Sequence, residues 1–146
     1  MIVGGITLYA VLGRGGHGRT RSVAWQDLSA QVAPVELGGA EQRRFRKATD
    51  FARYLRLVET GPSFTIPHVD FTRNEVVIFG VGPRSSAGYS LAVRLVSVVD
   101  GATVVTVDER SPRLGSHPAP GLTFPFILIA VPRSAGPLSV DWPQRP

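Results

Sequence analysis

GYSLAVRLVSVV (Gly88–Val99), DG (Asp100–Gly101) and ATVVTV (Ala102–Val107) decide the fold class between them. Both flanking runs are rich in β-branched residues. Alternation in the first puts Leu91, Val93 and Leu95 on one face and Ser90, Arg94 and Val96 on the other. Asp-Gly between two such runs is the pair that a tight two-residue turn selects, because both central positions need positive φ. The stretch therefore reads as a β-hairpin.

Working outward, EVVIFGV (Glu75–Val81) is apolar on both faces, the pattern of a central strand. TFPFILIAV (Thr123–Val131) reads as a further strand, with Pro125 near its start, where a missing amide is tolerated. Leu138–Trp142 closes the sheet. Ser22–Trp25 and Gln31–Leu37, ahead of Gly38-Gly39, read as short strands. Helical spacing occurs at Phe51, Leu55 and Val58, with Tyr54 alongside. Thr49-Asp50 offers a cap and Gly61-Pro62 a stop, so a short helix over about 50–59 is expected. Glu41–Ala48 as a strand puts Arg44 and Arg46 on one face and Arg43, Phe45 and Lys47 on the other. It reads either as a solvated edge or as a basic strip for a partner. The expected architecture is mainly β: a compact antiparallel, sandwich-like sheet arrangement, its strands in meander order, with the helix packed on one face.

Composition agrees with this. The chain has 146 residues, 43% hydrophobic and 18% charged, enough for one packed domain and unlike a disordered chain. Sixteen glycines and twelve prolines are awkward for a helix bundle. The absence of cysteine removes disulfides, thiolate metal sites and cysteine nucleophiles. The net charge of +5 is uneven: residues 1–66 carry nine basic and five acidic groups, residues 67–146 seven and six. No basic face interleaved with aromatics accompanies the excess, so no nucleic-acid partner is expected. The chain divides into an N-terminal segment, 1–21, and a β-rich domain, 22–146. Met1–Gly13 is apolar and uncharged and is followed by Arg14, Arg19 and Arg21 in a glycine-rich run. Thirteen residues fall short of the roughly 20 that span a bilayer. The segment reads either as the remainder of a truncated anchor or signal, or as a first core strand over Ile2–Val11. Membrane contact is expected only through such an anchor.

Catalytic patterns are missing. His17, His68 and His117 are far apart in sequence. His68 and Asp70, on one side of an expected strand, fall short of the three protein ligands of a zinc site. No serine sits in a nucleophile elbow and no glycine motif opens a helix for phosphate. Asp108 and Glu109 are adjacent in a strand and face opposite ways, poor placement for paired acid–base work. No catalytic residue, metal or cofactor is expected, and the chain reads as a non-enzyme.

The informative loop is Gly82-Pro83-Arg84-Ser85-Ser86-Ala87-Gly88-Tyr89-Ser90. Gly88 suits a positive φ, Ser86 a bond to a nearby amide, and Tyr89 a ring on the core with its hydroxyl free for a partner. A second polar loop, Glu109–Gly121, carries Pro112, Pro118 and Pro120. Taken with Asp70-Phe71, the Glu75–Ile78 run and Thr123-Phe-Pro125-Phe126, the order of motifs resembles the PrcB C-terminal domain family. That family shows a DF start, a hydrophobic strand, a TGGYS turn and a T-x-P-Y/F strand. The resemblance runs over roughly residues 41–133. Ser86 and Ala87 depart from the turn, and Phe126 stands where tyrosine is common. It implies a non-enzymatic β-rich domain of exported or lipid-anchored bacterial proteins, placed in the cell envelope, whose founding member accompanies and stabilises a surface protease complex. If Met1 is the true start and no anchor exists, the place is the cytoplasm. The Gly-Tyr turn is also similar, more distantly, to the loop of chagasin-type protease inhibitors. Arg84, Ser85, Ser86, Gly88, Tyr89 and Pro112 are the expected contacts with a protein partner such as a protease. Asp70, Phe71, Pro125 and Phe126 are the expected structural motif. The alternative is a structural envelope domain with no binding loop.

Overall fold

The computed structural model describes residues 2–3, 20–32 and 34–143. Eleven strands and one α-helix follow in the order β1 (Ile2–Val3), β2 (Thr20–Ser22), β3 (Trp25–Asp27), β4 (Ala40–Phe45), α1 (Ala48–Val58), β5 (Asn74–Val81), β6 (Arg84–Ser86), β7 (Ser90–Val99), β8 (Ala102–Arg110), β9 (Pro120–Thr123), β10 (Phe126–Pro132) and β11 (Leu138–Asp141). They form a five-stranded sheet, β1-β3-β10-β5-β4, a four-stranded sheet, β11-β8-β7-β2, and a two-stranded ribbon, β6-β9.

The five-stranded sheet is the middle layer, and alternation in β5 and β10 makes it so. Val76 and Ile78 of β5, with Leu128 and Ala130 of β10, join Phe51, Tyr54 and Leu55 of α1 in one core. The residues between them, Val77, Phe79, Val81, Ile127 and Ile129, join Val96, Val105 and Val107 of the second sheet in another. Two strands apolar on both faces thus serve two cores at once. The helix begins at Ala48, with Lys47 in the cap position and no side-chain cap, so Thr49 and Asp50 lie within its first turn. Its Tyr54 hydroxyl donates to Glu41 of β4 (2.5 Å). Burial first, and that bond second, push the phenol pKa up.

The hairpin forms as read. Asp100 and Gly101 adopt φ of 51° and 81°, and β7 pairs with β8 from Val99↔Ala102 to Ser90↔Arg110. The meander does not form. Of the strands around the central β5, β10 is distant in sequence and β4 is separated from it by the helix. The chain passes between the two main sheets after β2, from β5 to β7, from β8 to β10 and again after β10, and β11 returns parallel to β8. Gln31–Leu37 is no strand: a 3-10 turn covers Ser29–Gln31, and the chain then makes a single bridge, Val35↔Glu59. The run Thr123–Val131 breaks at Phe124-Pro125, giving β9 and β10 to different sheets. Of the N-terminal segment, Ile2–Val3 pair with β3, and residues 4–19 lie outside the described residues. Among the described residues no helix is long and apolar enough to cross a membrane.

β4 is an edge strand, but Arg44 and Arg46 are not a solvated strip. Glu75, fully buried at the start of β5, receives Arg44 through two donors, with Nη2 at 3.1 Å from Oε2. Arg46 Nε lies 3.8 Å from the same carboxylate. The Ser134 amide donates to Glu75 (2.8 Å), and Arg44 donates to the carbonyls of Ser134 (2.8 Å) and Gly136 (2.9 Å). The Ser134 hydroxyl reaches the carbonyl of Gly101 at the hairpin tip (3.1 Å). One buried carboxylate therefore holds the crossing from β10 to β11 against both sheets. Removing one partner of a buried pair leaves the other charge uncompensated. Glu75→Ala is expected to lower unfolding stability by about 3 kcal/mol in urea denaturation, the low end of that class because Arg44 keeps partial solvent access.

Candidate binding groove

The chain leaves β5 through Gly82, whose φ of 86° is the left-handed conformation that the turn needs. Gly88 was the residue expected to supply it. Gly88 does not adopt positive φ, and its requirement is space. A Cβ there would lie 2.6 and 2.9 Å from Pro112 Cγ and Cβ and 3.1 Å from Pro118 Cβ. The two polar loops are thus packed on each other through a glycine against two proline rings.

Further bonds fix the pair. Ser86 Oγ accepts from the Gly88 amide (3.4 Å), as the sequence suggests. The Ser86 carbonyl accepts from Thr123 Oγ1 (2.7 Å), and the Ala87 amide donates to the Ala119 carbonyl (3.0 Å). Residues 84–86 are therefore not free loop but the strand β6, paired with β9. Arg84 is already engaged. Its Nε and Nη2 donate to Glu109 at 2.5 and 2.9 Å, its Nη1 reaches the Val81 (3.3 Å) and Pro83 (3.1 Å) carbonyls, and the carboxylate pushes its pKa further up. Ser85 is exposed and Pro112 half-buried.

Tyr89 is half-buried, and among the described residues its hydroxyl has no hydrogen-bond partner. Its ring lines a groove of about 290 Å³ with Ser90, Leu91, Thr123, Phe124, Pro125 and Phe126. The turn motif and the T-x-P-F motif, 30-odd positions apart, form this one groove. Pro125 accepts from the Val81 amide (3.4 Å), and Phe126 packs its ring toward the helix-side core. Phe124 and Leu91 were not singled out in the sequence. Leu91 lies on β7 and Phe124 in the break between β9 and β10, and no local pattern reveals that the two meet.

The remaining motif residues are structural and lie away from the groove lining. Asp70 Oδ1 accepts from the Thr72 amide (3.0 Å) and hydroxyl (2.5 Å), and the Asp70 carbonyl accepts from the Asn74 amide (2.9 Å). This is a turn that launches β5, not the strand expected for His68 and Asp70. The Phe71 ring packs tilted against Phe51, with centroids 6.0 Å apart. Among the described residues no three of His, Asp and Glu gather as a metal-binding group. Asp108 and Glu109 do face opposite ways, and each holds an arginine. Asp108 accepts from Arg94 at 2.7 and 3.0 Å, which holds its carboxyl below the ordinary 3.8.

Two outcomes test this geometry. Gly88→Ala is expected to destabilise the fold by about 1–3 kcal/mol through overpacking, and Pro112→Ala to relieve much of that loss in a double-mutant cycle. A depressed carboxyl stabilises the fold above its unfolded pKa, and that contribution fades as pH falls through the folded value. Arg94→Gln is accordingly expected to raise the Asp108 midpoint toward 3.8 in a carbon-13 NMR titration.

No curated protein and no solved structure matches the chain. A family model does match, over residues 76–132, and its description is PrcB C-terminal. The stretch from β5 through β10, which builds every wall of the groove, is therefore similar to the PrcB C-terminal family.

Proposed function

We propose that this chain is a non-enzymatic protein-binding module of the cell envelope that accompanies a protease or protease complex and contacts it through the Tyr89 groove. One observation carries the reading: a half-buried tyrosine, whose hydroxyl has no hydrogen-bond partner among the described residues, stands at a groove built by the two family motifs. A two-χ aromatic on a braced turn supplies contact area at little entropy cost, and an apolar ring with a polar tip suits an interface that is part dry and part wet. The bracing is visible in the Gly88–Pro112 contact and the β6–β9 pairing. Both carboxylates of the Asp108-Glu109 pair are occupied by arginines, which favours a structural over an acid–base role for them. The apolar, then basic, segment 1–21 and the PrcB resemblance support the envelope as the place of work.

Affinity capture from a membrane-enriched lysate of the source cell, with the full chain as bait, tests the proposal. A protease or its complex is expected on the wild-type bait and reduced at least about tenfold on Tyr89→Ala. Thermal denaturation of both baits checks that the fold is equally intact. Equal recovery on both baits moves the contact elsewhere, and recovery of no protease overturns the reading.

A further inference from the structure

The outer edge of β7 is divided in two. From Ser97 to Val99 it is paired with β2, antiparallel, and the Val23 amide still donates to the Val96 carbonyl (2.9 Å). Residues 23 and 24 then cross to the other sheet, where β3 pairs with β10 and the Leu28 amide donates to the Leu128 carbonyl (2.7 Å). A β-bulge marks the division: the β7–β8 register shifts between Val93 and Leu95, making Arg94 the extra residue. Beyond it, Ser90–Val93 pair with β8 on the inner side, and among the described residues no strand pairs with them on the outer side. Burial agrees. β5, with neighbours on both sides, is buried from Glu75 to Val81, whereas no residue from Ser90 to Leu95 is buried and Leu95 is 39% exposed.

We infer that Ser90–Val93 is a docking edge for an extended peptide segment of the partner, added antiparallel to β7 in the line of β2, with an apolar side chain seated in the Tyr89 groove. Two observations converge on that occupant. An unpaired strand edge is answered by another main chain, which supplies affinity while side-chain pockets supply specificity. The groove begins on the same residues, Tyr89, Ser90 and Leu91, and its far wall, Phe124–Phe126, is aromatic and proline. The chain's own segment 20–28 shows the mode, serving first the β7 edge and then the β10 edge before it turns away at Ser29. Edge strands commonly carry a charge that repels such pairing. Here Arg94, though exposed, pairs with Asp108 of the neighbouring β8 at 2.7 Å, away from the unpaired edge.

The inference rests on the groove reading, and the test separates the two. A displayed library of random twelve-residue peptides is selected on the full chain and counter-selected on Tyr89→Ala. The best peptide is then resynthesised with N-methyl groups on its odd or its even residues. One set is expected to lose at least tenfold in affinity and the other to keep it, because alternate amides of a strand face the partner edge. Amide exchange of Ser90–Val93 is expected to slow on binding. A peptide that needs Tyr89 yet tolerates both methylation sets, with exchange of Ser90–Val93 unchanged, overturns the edge and leaves the groove. Recovery of no Tyr89-dependent peptide overturns both.

Discussion

The buried carboxylate of Glu75 is the contact on which the assembly of the two sheets depends. A charge taken wholly out of water is tolerated only when several donors meet it. Arg44 and the Ser134 amide do so here, with Arg46 close by. The donors come from an edge strand and from the crossing between sheets. Satisfying Glu75 therefore requires β4, β5 and the segment after β10 to be in place together. The same arginine holds the carbonyls of Ser134 and Gly136, and Gly136 comes so close to the hairpin tip that a Cβ would lie 2.1 Å from the Gly101 carbonyl oxygen. Hairpin, crossing and central strand meet at one polar knot.

At the other end of β5 a second ion pair plays a related part. Arg84 ties Glu109, near the end of β8, to the Val81 carbonyl at the end of β5. Between the two knots the alternating side chains of β5 and β10 fill two cores, so the central sheet cannot slip by one residue without exchanging its faces. The groove sits on the Arg84 side. Its walls come from strands of different sheets whose spacing is held by that ion pair and by the packed loops. The bracing of the groove is thus a consequence of how the sandwich is closed, and under the proposed binding role it lowers the ordering cost of a contact at Tyr89.

Local chemistry made part of this legible in the sequence. The Asp100-Gly101 turn, the two-faced strand at 75–81 and the amphipathic helix each follow from rules that act within about ten residues. The ordered motifs located the groove's two walls, though not that they face each other. What escaped notice depended on distant partners. Arg44 and Arg46 looked like a solvated strip because Glu75 lies about 30 positions away. Gly88 looked like a backbone requirement because Pro112 and Pro118 were invisible from it. Locally, Phe124-Pro125 reads as a strand start, since a proline near a strand end is permitted.

By itself, then, the sequence determined the mainly β class, the hairpin, the helix stripe and which strand lies at the centre, since periodicity and turn chemistry are short-range. Tertiary structure decided the strand order, the crossings between sheets, the partners of the buried charges and the joining of the Tyr89 turn to Phe124–Phe126. These depend on contacts between residues far apart in the chain, whose net energy is set by burial and by which charge finds which partner, and neither is written in any local pattern.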